Sequence, residues 1–119
     1  MAVTKLAGQG RQNGYNTCVI ADEGTTSAAV DTEGYGITGL LIPTIDTANL
    51  TFTVSNLSDG TFYTVKDMDG STFTITAGTG AFAVGSDDLS PLFGYRFIKV
   101  VSSATQSTAA VTFTFTLKG

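Results

Sequence analysis

The sequence predicts an all-β protein, an antiparallel sandwich preceded by a polar N-terminal arm, and three observations carry that expectation. Apolar residues alternate with threonine and serine at period two in several stretches. Apolar runs of about five to nine residues recur with turn signals between them. Fourteen glycines and abundant threonine leave helix formers scarce: branched threonine suits a pleated surface, and glycine supplies positive φ at corners.

At 119 residues and 12.3 kDa the chain has enough length for one core, so a single domain is expected. Residues 1–34 are rich in Gly, Gln, Asn, Thr and Ala. Stretches such as "AGQGRQNGYN" and "DEGTTSAAVDTEG" are too polar for long elements, so this part reads as an arm with one or two short strands, "TCVIAD" being the best candidate. Residues 35–119 read as the sandwich body. "YGITGLLIP" ends at Pro43, and "NLTFTVSN" places Leu50, Phe52 and Val54 opposite Thr51, Thr53 and Ser55. "TFYTVKD" follows one Asp-Gly pair and "STFTITA" a second, and Asp-Gly between alternating runs is a hairpin signal because a tight turn needs residues that tolerate positive φ. "AFAVG" comes after the glycines of "AGTG", and "YRFIKVVSS" follows a loop around Pro91. The last run, "AAVTFTFTLK", sets Val111, Phe113, Phe115 and Leu117 against three threonines. Each strand then has one dry face and one hydroxylated face, and two sheets closed on their dry faces make a core. Phe52, Phe73, Phe113 and Phe115 are its expected large members, each contributing about 2–3 kcal/mol before entropy. No segment of comparable length reads as a helix.

Charge and missing residue types narrow the chemistry. Only 13% of residues are charged and the net charge is −4, with six bases scattered at Lys5, Arg11, Lys66, Arg96, Lys99 and Lys118. A phosphate backbone needs clustered bases, so nucleic acid is not expected as a partner. The chain has no histidine, which removes the usual general base and the commonest metal ligand. The single Cys18 has no cysteine partner within the chain and no imidazole to activate it, so a buried, idle thiol is expected. Paired acids remain, Asp87 with Asp88 and Asp22 with Glu23, but neighbours on an extended strand point to opposite sides, so these read as solvated loop charges. No catalytic, cofactor or metal residue is therefore assigned, and the chain is not expected to be an enzyme. No signal-peptide core and no run of eighteen apolar residues is present, which predicts a soluble product made in the cytoplasm with no membrane partner.

Two motifs carry a chemical look. "GYGITG", residues 34–39, fits the dinucleotide pattern G-x-G-x-x-G, but that pattern works only where it opens a helix, and here it opens the β-branched "LLIPTID". "DMDG", residues 67–70, starts like a calcium loop, yet Gly78 stands where the bidentate Glu belongs, so it reads as a turn. Most phenylalanines fall at strand spacing and read as core. Arg11, Tyr15 and Tyr35, large side chains in and beside the polar part, are the candidates for contact with a partner.

The order "GITGLLIPTIDTANLTFTVSNLSDGTFYTVKDMDGSTFTI", "LSPLFGYRFIKVVSS" and a final Thr-rich strand resembles small structural proteins of tailed bacteriophages. It spans roughly two thirds of the chain. The resemblance implies a jelly-roll-like sandwich on the capsid exterior, a head decoration or cement protein that binds the major capsid protein and its own copies, as trimers. The same order is also similar to jelly-roll carbohydrate-binding modules of the discoidin type, which implies the alternative of a tail or fibre module that recognises host glycans. Those modules usually carry Trp and often His at the sugar site, and this chain has neither.

Overall fold

The computed structural model describes residues 3–6 and 13–119, and among them it forms two antiparallel sheets packed on a shared core. In chain order the strands are β1 (Thr4–Leu6), β2 (Asn13–Ile20), β3 (Gly24–Thr26), β4 (Val30–Asp31), β5 (Gly36–Ile42) and β6 (Ala48–Ser55). They continue with β7 (Tyr63–Thr64), β8 (Ile75–Ala77), β9 (Phe82–Gly85), a 3-10 helix (Ser86–Leu92), β10 (Phe97–Gln106) and β11 (Val111–Lys118). The sheet with the longer unbroken strand path, called the larger sheet, has five strands in the order β1-β2-β11-β5-β9, and the other has six strands in a branched order. The other is built on β10 and β6, with β3 and β4 beside β10 and β7 and β8 beside β6.

The period-two reading holds where it was strongest. In β6 Leu50, Phe52 and Val54 are buried, and in β11 Val111, Phe113, Phe115 and Leu117 are. Across the pairs, Val100 faces Phe52, Ile98 faces Val54, Phe113 faces Cys18 and Phe115 faces Leu40, so apolar side chains of each sheet form continuous inward rows. Phe73 is half-buried at the rim, its ring tilted 30° to that of Phe52 with centroids 5.4 Å apart.

β5 departs from simple alternation. Its register against β11 shifts between Thr116 and Leu117, so that Thr116 faces Gly39 and Leu117 faces Ile37, and consecutive Gly39 and Leu40 are both buried. This bulge needs glycine, because a Cβ at Gly39 would stand 2.9 Å from Thr116 Oγ1 and 3.2 Å from the Val84 carbonyl oxygen. Residues 34–39 thus run into a strand, and no helix follows the G-x-G-x-x-G pattern to receive a pyrophosphate.

Three expectations need correction. The arm expected over residues 1–34 is built into the body from Asn13 onward: β2 pairs with β11 along all eight of its residues, and β3 and β4 pair with β10. Its inward positions are Gly14, Asn16, Cys18 and Ile20, too polar and small for the alternation to register as a core strand. The two Asp-Gly pairs differ in kind. Gly70 has φ of 88° in a tight turn where Asp67 N–H donates to Ser71 O and Ser71 N–H to Asp69 Oδ1. Gly60 instead lies outside the positive-φ set, in a seven-residue connection between β6 and β7. Finally, the loop around Pro91 is a 3-10 helix that presses Leu89 and Leu92, both fully buried, into the core.

Candidate binding surfaces

Two surfaces are shaped to hold something. The first is the outer face of the larger sheet. Tyr15, Thr17 and Val19 of β2 lie across from Thr116, Thr114 and Thr112 of β11, and Thr114 lies across from Leu41 of β5. These are the residues that alternation sends outward, so the face is an array of hydroxyls broken by exposed apolar side chains, Leu41 being 46% exposed. A shallow groove of about 540 Å³ crosses it, lined by Tyr15, Thr38, Leu41, Thr114 and Thr116, with Lys118 at one end.

The second surface lies at one edge of the other sheet. Residues 56–62 join β6 to β7, and Ser55 shapes the start of that connection: its Oγ donates to Leu57 O at 2.9 Å and accepts from Leu57 N–H at 3.1 Å. Gly60 N–H then donates to the same carbonyl at 3.2 Å, which turns the loop and leaves Leu57 65% exposed. The far end is held by Lys99, whose Nζ sits 4.3 Å from the centroid of the Phe62 ring. Tyr63 follows, paired with Val54 and 67% exposed. Opposite this loop stand Pro91 and Tyr95. Thr32 Oγ1 donates to Tyr95 O at 3.2 Å and Thr32 N–H to Arg96 O at 2.8 Å, fixing the backbone on either side of that peptide. Arg96 in turn donates twice to the Asp31 carboxylate, at 2.9 and 3.1 Å, and this guanidinium holds Asp31 below the usual carboxylate range. The result is a cleft of about 550 Å³ lined by Asn56, Leu57, Thr61, Tyr63, Lys66 and Tyr95, among others. Tyr95 also lines a smaller recess of about 190 Å³ with Tyr35 and Phe93.

The three contact candidates are not brought together. Tyr15 lines the groove on the larger sheet, Tyr35 lines the small recess at the β5 end, and Arg11 lies outside the described residues. Sequence reading missed Leu57, Tyr63, Lys66 and Tyr95 as wall residues. The alternation of "TFYTV" separates Phe62 from Tyr63 but does not say which faces solvent, because β7 is a two-residue strand at a sheet edge.

The acids stay dispersed. Asp87 and Asp88 open the 3-10 helix, where the free N–H groups favour negative charge. Asp88 lines a hollow with Phe73, Thr74 and Val84 in which no second carboxylate appears among the described residues. No group of three or more His, Cys, Asp or Glu suited to a metal occurs among the described residues. Burial pushes the Cys18 thiol up to about 11, opposed by a hydrogen bond with Ser27. Cys18 is therefore expected to resist iodoacetamide at pH 8 in the folded protein and to react once urea unfolds it; rapid labelling of the native chain would show an accessible thiolate instead.

Comparison with protein-family models, curated proteins and solved structures finds no match for this chain. Among the described residues no helix is long and apolar enough to cross a membrane.

Proposed function

We propose that the chain is a non-enzymatic structural protein of a tailed-phage virion, a decoration or cement protein seated on the head exterior that binds the major capsid protein and reinforces the shell as trimers. The observation that supports this reading is the outer face of the larger sheet. It is a broad shelf of threonines with Tyr15, Val19 and Leu41 between them, and Lys118 is the one charged residue lining its groove among the described residues. Such a surface packs against a neighbour without desolvating charge, and against many copies without like-charge repulsion. The body behind it is held by hydrophobic burial.

Cosedimentation with purified heads tests the seat. Leu41→Lys places an ammonium in the middle of the shelf, where seating would strip it of water. Association is expected to fall by about tenfold or more while thermal unfolding stays close to wild type. Undiminished binding by both Leu41→Lys and Val19→Lys would place the contact elsewhere.

A further inference from the structure

We propose that the open side of the sandwich between β8 and β9 takes up an extended strand from another protein chain, apolar at alternate positions and carrying a lysine or arginine at its N-terminal end. The seam lies on the core side of β9 and not on the threonine shelf, so the inference does not rest on capsid seating.

Core-facing side chains that no strand covers mark the place. Phe82 and Val84 of β9 lie across from buried Ile42 and Leu40 of β5, and Ile75 of β8 lies across from buried Leu50 of β6. Residues directly opposite each other share a face of their sheet, so all three point inward. Yet Phe82 is 39% exposed, and Val84, Ile75 and Phe73 are only half-buried. Tyr15 has similar exposure at an outward position, where water is the ordinary neighbour. Here the exposure falls on the inward rows, which are closed elsewhere in the sandwich. The four side chains line one hollow of about 420 Å³ with Asp88 at its margin.

The cause is topological. β9 ends the larger sheet and β8 flanks β6 in the other, and among the described residues neither pairs with a further strand. Packed sheets stand about 10 Å apart, which leaves room for one extended backbone along such a seam. Natural edges are usually blunted by a lysine, a proline or a bulge; β9 reads Phe82, Ala83, Val84, Gly85, and its register with β5 is unbroken. Every strand pair among the described residues is antiparallel. A strand added to β9 in the same sense satisfies the open backbone edge and lays alternate side chains on the apolar rows. Charge then fixes one end of the occupant. Asp88 is the one charged residue lining the hollow, no Lys or Arg lines it, and the ion pair formed among the described residues joins Arg96 to Asp31. β9 runs toward Asp88, so the N-terminal end of an antiparallel occupant falls beside that carboxylate, where a base meets it.

The test titrates the full-length chain with the blocked peptide Lys-Thr-Val-Thr-Val-Thr, labelled at its C-terminus and read by fluorescence anisotropy, beside the same peptide with Glu in place of Lys. The Lys peptide is expected to bind, and the Glu peptide about threefold to fivefold more weakly. Asp88→Lys is expected to reverse that order, and hydrogen exchange at the Ala83 to Gly85 amides is expected to slow when the Lys peptide is bound. Phe82→Lys, which sets an ammonium in the seam, is expected to weaken binding by about tenfold while leaving the oligomeric state unchanged. Should that variant fail to fold, the charge reversal in Asp88→Lys decides. No binding of the Lys peptide at up to about 1 mM, equal binding of both peptides, or unchanged exchange along β9 would each overturn the proposal. Loss of the chain's own oligomers in folded Phe82→Lys would also overturn it, by giving the seam to a second copy.

Discussion

Phe113→Ala is expected to remove about 3–5 kcal/mol of stability, a large share of the roughly 5–15 kcal/mol available to a domain of this kind. The side chain is fully buried on β11, the strand that joins β2 to β5 at the middle of the larger sheet. Its neighbours across the ladder and on its own face include Cys18, Val111 and Phe115, all buried members of the same core, so the walls have little freedom to collapse into the space left behind. Thr112→Ala, one residue away on the outward face, is the control and is expected to shift stability by no more than about 0.5 kcal/mol. Urea denaturation monitored by tyrosine fluorescence measures both. A loss under about 1 kcal/mol for Phe113→Ala would mean that the sheets are not closed on this row.

Gln106→Leu is the second large effect and acts through polar groups instead of volume. Gln106 is 1% exposed at the end of β10, and its amide clasps the connection between β5 and β6. Oε1 accepts from Asp46 N–H at 2.8 Å, and Nε2 donates to Asp46 O at 3.1 Å and to Ser102 Oγ at 3.0 Å. Asp46 returns the contact: its carboxylate accepts from Ser107 N–H at 2.8 Å and from Thr108 Oγ1 at 2.6 Å, which holds the turn between β10 and β11. These bonds keep the Asp46 carboxyl below its usual range, the Thr108 hydroxyl contributing most. Leucine has nearly the right volume but leaves an N–H and a carbonyl without partners, so a loss of about 2–4 kcal/mol is expected. Asp46→Asn keeps the backbone clasp and is expected to cost far less. Equal losses in the two variants would assign the clasp to the carboxylate and not to the buried amide.

The fold was legible where burial is one-sided and complete. β6 and β11 alternate because their inward positions meet the opposite sheet, so apolar residues separate from polar ones along them, the exception being Ser55 at the end of β6, which is buried next to Val54. β2 carries the same geometry with a weaker code. Asn16 stands inward among buried residues because its Nδ2 donates to Asp31 O at 2.9 Å, a long-range bond that no local pattern announces. The 3-10 helix is too short for a helical period to emerge, and Pro91 within it reads as a loop signal. The absence of a dinucleotide helix after residues 34–39 was readable from the β-branched run that follows, and Gly39 serves the bulge instead. The cleft is a different matter. Its walls come from residues 54–66, Pro91 and Tyr95, and their meeting depends on Thr32 and Asp31 holding the strand end beside them. Period two assigns a side chain to a face but does not say whether anything covers that face. The shelf shows the same limit: Tyr15 was singled out as a contact residue, whereas Val19 and Leu41 fell in runs that read simply as strand.

The most direct measurement is the thermal rupture of phage heads that lack the protein, recorded by dye access to packaged DNA before and after the purified chain is added. Uptake that saturates at a fixed number of copies per head, with a rupture temperature that rises with occupancy, is the result expected of a stiff block seated by its threonine shelf. Heads that take up none of the chain, or that take it up and rupture at the unchanged temperature, would contradict the decoration role.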